Sequence, residues 1–310
     1  MATLSLRWTE YPPPDFTGGA VTVGNFDGVH RGHAALLAAA KRWAASLAGP
    51  TVAVTFDAPP AALLNPAAAQ VPLTTPADRA DLLHAGGADR VVILKTDPGL
   101  VSLSPEAFFE DVLTRMLGAR AVVEGSNFRF GRGRAGDTRQ LRDLCRAAGV
   151  AFEEVQPVAV RGDAVSSSRV RAVLTAGDVA TAADLLGRPY RLAGTVVEGA
   201  KRGRTIGFPT ANLGGVETLV PGVGVYAARA RVDDRVYAAA ANIGPNPTFG
   251  EDARKIEIHL LDYAGNLYGR RLAVDFVAKL RDTRPFASVG ELVEQLKQDV
   301  AATSKIVNLL

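Results

Sequence analysis

At Gly187-Arg188-Pro189 the chain changes its pattern. Before this point short β-branched runs alternate with helical stretches; after it such runs follow one another with only turn residues between them. Alternation of strand and helix predicts a doubly wound parallel sheet, an α/β domain with helices on both faces. Successive strands without helices predict a mainly antiparallel β-barrel. The boundary is placed at residue 186, with one domain over 1–186 and a second over 187–310. A chain of 310 residues has room for two domains that each bury a core.

Within the first pattern, strands are expected at Ala20 to Val23, Thr51 to Phe56, Val91 to Leu94, Ala121 to Glu124 and Ala151 to Val155. Helices are expected from near His33 to Ala48, over Pro76 to Ala85, over Pro105 to Leu117 with Ser104 as N-cap, over Thr138 to Ala148 and over Asp178 to Leu186. Leu36, Ala40, Trp43, Ala44 and Leu47 give the first helix its buried face. The barrel strands are read at Leu192 to Val197, Val223 to Val232, Val236 to Ile243, Ile256 to Leu261 and Leu272 to Val277. A closing helix follows, with a capping box at Ser288 and Glu291 and an apolar face of Leu292, Val293, Leu296 and Val300.

Three stretches of the first domain carry polar groups to the carboxyl edge of that sheet, where ligands of such folds bind. The first is Val23-Gly24-Asn25-Phe26-Asp27-Gly28-Val29-His30-Arg31-Gly32-His33, a strand, a glycine loop and a helix start. Unsatisfied N–H groups and the helix dipole favour an anion there, and His30 and His33, three residues apart, add two donors. The glycine spacing fits neither the dinucleotide fingerprint nor the P-loop. A metal pair would want more ligands than a chain with four His and one Cys offers. The second stretch is Gly125-Ser126-Asn127-Phe128-Arg129-Phe130-Gly131, extended by Arg132 and Arg134; a solvated basic loop is the simpler reading of its charges. The third, Ser166-Ser167-Ser168-Arg169-Val170-Arg171, puts hydroxyls and arginines at a helix start, where a bound anion would rationalise the cations.

In the second domain the chemistry centres on Gly203-Arg204-Thr205-Ile206-Gly207-Phe208-Pro209-Thr210-Ala211-Asn212, with Lys201 and Arg202 before it. Thr210 and Asn212 alternate on an extended segment and so face the same way, two neutral oxygens suited to Mg²⁺. The residues alone leave a phosphate loop and a basic-rimmed turn equally open. Glu257 alternates with Ile256 and Ile258 on a strand, so its face is either solvent or a pocket.

Gly24-x-Phe26-Asp27-Gly28-x-His30-x-Gly32-His33, the Asn127 and Ser167 stretches, and Gly207-Phe208-Pro209-Thr210-Ala211-Asn212 together resemble the prokaryotic bifunctional riboflavin kinase/FAD synthetase family. Further segments match in order: Gly224 to Ala227, Asn242-x-Gly244-x-x-Pro247-Thr248, Glu257 before Leu260-Leu261-Asp262, Leu267-Tyr268-Gly269 and Arg281 to Phe286. One segment departs: the family commonly has Pro-His-Pro after its second strand, and this chain reads Ala58-Pro59-Pro60. The resemblance implies a nucleotidylyltransferase domain followed by a riboflavin kinase barrel that convert riboflavin to FMN, and FMN to FAD, with ATP. It assigns ATP and phosphate contacts to Gly24, Phe26, Asp27, Gly28, Asn127, Ser167, Ser168 and Arg171 in the first domain. In the second it assigns them to Gly203, Arg204, Gly207, Pro209, Thr210 and Asn212. Thr210 and Asn212 would hold Mg²⁺ with ATP, Glu257 would be the base, and His30 and His33 would act on the phosphates. A kinase whose first domain binds nucleotide without adenylylating FMN is the nearer alternative; a nucleic-acid or regulatory flavin-binding protein using Arg129 to Arg142 is the farther one.

Composition agrees with small anionic substrates. A net charge of +3 and a pI near 9.1 are too mild to argue for nucleic acid. No apolar stretch approaches the about 18 residues of a membrane span, and no signal-peptide pattern opens the sequence, so a soluble cytoplasmic enzyme is expected. A single cysteine, Cys145, suits a reducing compartment. The expected partners are ATP, riboflavin and FMN, with apo-flavoproteins as downstream recipients and neither nucleic acid nor membrane.

Overall fold

A computed structural model describes residues 1–199, 202–246 and 251–308. Lys201, Pro247 and Thr248, named above, lie outside these residues, as does the side chain of Arg202. The chain divides into two compact units, Met1–Ser166 and Ser167–Leu310.

The first unit is a parallel sheet of six strands: β1 (Ala2–Leu6), β2 (Ala20–Val23), β3 (Thr51–Phe56), β4 (Arg90–Leu94), β5 (Ala121–Gly125) and β6 (Ala151–Val155). Their order is β1-β4-β3-β2-β5-β6 and every neighbouring pair is parallel. The doubly wound architecture is therefore as expected, with β1 added at one edge. That strand escapes a search for apolar runs because it is a half-buried alternation, with Ala2, Leu4 and Leu6 against the core.

Both faces of the sheet are covered. Val21, Val23, Val52 and Val54 pack with Phe108, Val112, Leu113, Leu141 and Cys145 on one side. On the other, Ala20, Ala121 and Val123 meet Ala39, Ala40 and Ala44 of α1 (Arg31–Leu47), while Ala53, Val91 and Ile93 meet Leu37 of α1 and Leu83 of α2 (Pro76–Ala85). Leu37 is thus fully buried, while Leu36, Trp43 and Leu47 are only partly so; Trp43 Nε1 donates to Glu153 at 2.7 Å.

The helix expected from Pro105 begins under its Ser104 cap but widens into a π-helix over Phe109–Met116. Phe108, Phe109, Val112, Leu113, Met116 and Leu117 are all buried. Their spacing repeats every four residues, too long a period for a straight α-helix to keep on one side. A wider turn keeps the stripe against the sheet.

The second unit is a closed antiparallel barrel of β7 (Tyr190–Val197), β8 (Ala211–Gly214), β9 (Gly224–Val232), β10 (Arg235–Asn246), β11 (Glu251–Leu260) and β12 (Arg271–Arg281), ordered β7-β8-β11-β10-β9-β12. Helices over Ser167–Thr175 and Val179–Leu186 group with this unit, the second under an Asp178 cap. The closing helix spans Val289–Asn308. Its cap differs from the expected box: Ser288 accepts from Glu291 N, but Glu291 reaches back to Ala287 N. Its buried positions also differ, being Asp299 and Thr303, with the leucines and valines of the expected face only partly covered. Asp299 sits there because Arg281 pairs with it through two nitrogens, at 2.7 and 3.0 Å, so the helix is pinned by a partly buried ion pair.

Candidate active sites

The strand order of the first unit reverses between β2 and β5, so the loops that leave these two strands flank the crevice of the sheet. The loop after β2 is tightly held. Gly24 N donates to Val54 O at 3.0 Å and Thr55 Oγ1 to Asn25 O at 3.1 Å. Asp27, buried, accepts from Leu73 N at 2.9 Å, Thr74 N at 3.1 Å and Thr74 Oγ1 at 3.2 Å, and Gly28 N donates to the same hydroxyl. These bonds restrain an unfavourable backbone: Phe26 and Val29 have φ of 45° and 40°, left-handed values that cost each residue roughly 1–3 kcal/mol.

The loop delivers His30 to the N-cap of α1. His30 Nδ1 accepts from His33 N and His33 Nδ1 from His30 N, a reciprocal box made by two imidazoles. With both Nδ1 atoms accepting, this hydrogen-bond pattern puts the proton of each ring on Nε2. The rings stack with centroids 3.6 Å apart at 16°, and Phe26, buried, sets its ring edge against His33. Gly32 makes room for this stack, since a Cβ there would sit 3.1 Å from the His30 ring. The stacked pair therefore carries two Nε2 donors at a helix N-terminus.

From β5, Glu124 is buried to 2% exposure and its Oε1 accepts from Val23 N at 2.6 Å, tying the two crevice strands together. Burial pushes its carboxyl well above the ordinary range, with the Val23 bond pulling the other way. Beyond it Asn127 is exposed, on a loop anchored by the stacked rings of Phe128 and Phe130. Beneath the β2 loop lies Arg79 of α2, 3% exposed. Its Nη1 donates to Thr55 Oγ1 at 3.0 Å and Phe56 O at 2.8 Å, and its Nη2 to Thr74 O at 3.4 Å. Loss of solvation lowers its pKa, and Asp27 opposes that shift.

In the second unit the barrel register sets a row of polar side chains. Asn212 of β8 lies opposite Glu257 of β11, and Glu257 opposite Asn242 of β10. All three are half-buried. Thr210 precedes β8, and the turn before it is closed by Phe208 N donating to Gly203 O at 2.8 Å. Gly203 and Gly199 are places of close approach: a Cβ would lie 2.2 Å from Phe208 O at the one and 2.3 Å from Asn212 Nδ2 at the other. Gly207 has φ of 86°, and Arg204, Gly207 and Pro209 are exposed. His259 joins the segment to β11, with Nδ1 2.8 Å from Pro209 O and its ring edge against Phe208.

The structure thus gathers Phe26, Asp27, Gly28 and His30 in one loop with His33 in the first turn of α1, and Thr210, Asn212 and Glu257 around one strand pair. Ser167, Ser168 and Arg171 stand in the first turns of the Ser167–Thr175 helix. Sequence reading missed Arg79, Glu124, Gly199 and His259, and used Asn242 only as part of a motif. His259 carried a usable signal: two residues beyond Glu257, it shares a face of the strand.

Residues 13–169 match the family model for FAD synthetase and residues 186–307 that for riboflavin kinase. The bifunctional riboflavin kinase/FMN adenylyltransferase of Pseudomonas fluorescens is 40% identical over 93% of each chain. The protein of the same description from Escherichia coli K12 is 36% identical over 91% of this chain and 90% of its own. A crystal structure described as a macrolide-efflux protein from Streptococcus pneumoniae superposes with a TM-score of 0.89 at 30% identity, covering 98% of this chain and 99% of that one. No helix among the described residues is long and apolar enough to cross a membrane. With both family models matched in order and relatives this similar along nearly the whole length, the chain belongs to the bifunctional riboflavin kinase/FMN adenylyltransferase family.

Proposed function

We propose that two domains, with the bounds read from the sequence, divide the synthesis of FAD, the 187–310 domain transferring the γ-phosphoryl group of ATP to riboflavin and the 1–186 domain transferring AMP from a second ATP to FMN. The observation that carries the reading is the pair of separate polar constellations, stacked His30 and His33 at a helix start and the Asn212–Glu257–Asn242 row across the barrel.

In the barrel, Glu257 takes the proton of the riboflavin 5′-hydroxyl as its oxygen bonds to the γ-phosphorus and ADP departs. Gly203 lets the turn close on Phe208 O and Gly199 leaves room for the Asn212 amide, which shapes the phosphate turn, and Arg204 supplies charge. The hydroxyl of Thr210 and the amide oxygen of Asn212 are hard oxygen donors that fit Mg²⁺ bound largely through phosphates and water. When bound, that ion neutralises phosphate charge in the transfer.

In the first domain an FMN phosphate oxygen attacks the α-phosphorus and pyrophosphate leaves. The Nε2 donors of His30 and His33 orient the phosphates and stabilise the charge that develops on them. Asn127 contacts the nucleotide, and Ser167, Ser168 and Arg171 keep the triphosphate role that the motif assigns. Leu63, Leu64 and Val71, exposed between β3 and α2, offer apolar surface of the kind a flavin ring covers. Cytoplasmic location and supply of flavin to apo-flavoproteins follow from this reading.

The test is to feed the protein riboflavin and MgATP and separate the flavins over time. FMN should rise first and FAD follow with pyrophosphate. FMN without FAD would replace this reading with the kinase-only one.

A further inference from the structure

Arg79 lies at the meeting point of both grips on the histidine loop. One grip runs from Nη1 to Thr55 Oγ1, which in turn donates a hydrogen bond to Asn25 O. The other runs from Nη2 to Thr74 O, and Thr74 holds Asp27 through its N–H and hydroxyl and Gly28 through the hydroxyl's acceptor side. Phe56 O, at the end of β3, is bound by the same guanidinium. These contacts flank Phe26 and end one residue before Val29, the two residues held at left-handed φ ahead of His30.

Stability alone gives a poor reason for a charge here. The guanidinium is 3% exposed, and its Nε has no hydrogen-bond partner among the described residues. Replacing a buried ion together with its partners by apolar side chains is often tolerated, whereas removing the ion alone leaves its buried acceptors unpaired. What such a side chain cannot do is fix two loop segments and a strand end at once.

The geometry points to Arg79 as a positioning residue for adenylyl transfer, one that holds the strained Asn25–His30 loop so that the paired imidazoles keep their orientation. It touches no substrate and acts through Thr55 and Thr74. The inference rests on the assignment of adenylylation to the first domain.

The test compares Arg79→Met, Arg79→Lys and Thr55→Val with wild type, using FMN and MgATP as substrates and amide hydrogen exchange of residues 26–30 as a second readout. Arg79→Met should lower kcat for FAD formation about 100-fold, the scale of a misplaced catalytic group, while KM for ATP changes less than about threefold. Arg79→Lys should recover part of the loss. Thr55→Val, nearly isosteric, should cost about fivefold to tenfold through the one relay it breaks. Exchange at 26–30 should quicken in the same order. Should Arg79→Met fail to fold, the other two variants decide: wild-type kcat and exchange in both would overturn the inference. Unchanged loop exchange in a folded Arg79→Met protein would overturn it whatever the activity. A wild type that makes no FAD would instead overturn the functional reading, and the exchange comparison would still judge the anchor.

Discussion

His259 Nδ1 lies 2.8 Å from the carbonyl oxygen of Pro209, fastening the glycine-rich turn to the strand that carries Glu257. A carbonyl only accepts, so the imidazole donates from Nδ1. Among the described residues, this bond and a ring contact with Phe208 add to the pairing of Asn212 with Glu257 in joining the glycine-rich turn to β11.

Removing that fastening should affect one reaction. His259→Ala is expected to slow FMN formation about tenfold, the loss of a bond and a packing contact that orient Thr210 and Asn212. FAD formation from supplied FMN should continue at the wild-type rate. Equal loss of both activities would contradict a local role.

Glu124 gives a pH-dependent stability. Its folded carboxyl titrates well above the value of 4.5 expected when exposed, because burial disfavours the charge. Between those two values the folded state holds a proton that the unfolded state has lost, so stability is greatest below about 4.5 and falls as pH rises toward the folded value. Glu124→Gln keeps an acceptor for Val23 N and removes the titration. Denaturant midpoints of the first unit should fall from pH 5 to pH 8 more steeply in wild type than in the variant; parallel slopes would refute the assignment.

Cys145 should be inert. It is completely buried, and burial pushes its thiol up to about 12, so almost no thiolate exists at pH 8. A maleimide should label it only after unfolding, and rapid labelling of the native protein would contradict the packing described.

What could be read from the sequence follows from where its signals lie. Thr51–Phe56 is buried at every position and reads as a strand without help. That His30 and His33 lie together at a helix start is legible because they are three residues apart, while their reciprocal capping is seen only in the structure. Arg79 and Glu124 were illegible for the opposite reason. A charged residue reads as exposed until its partners are known, and Arg79 reaches Thr55 across 24 positions while Glu124 reaches Val23 across 101. The same holds for Asp299, whose burial depends on Arg281 eighteen residues earlier. The barrel strand β8, Ala211–Gly214, is only four residues long, too short to stand out in the sequence from the extended segment of Thr210 and Asn212.

The division of labour between Glu257 and the histidine pair is tested most directly by one chromatographic assay of flavins from two variants. Glu257→Gln, given riboflavin and MgATP, should make FMN roughly 100- to 10,000-fold more slowly, the range for a positioned general base, yet convert supplied FMN to FAD at the wild-type rate. His30→Ala with His33→Ala should do the reverse, accumulating FMN with FAD formation down by about 100-fold or more. The double variant also loses the cap of α1, a cost of about 1 kcal/mol that a folded protein should absorb. Full riboflavin phosphorylation by Glu257→Gln, or undiminished FAD formation by the histidine variant, would contradict the account.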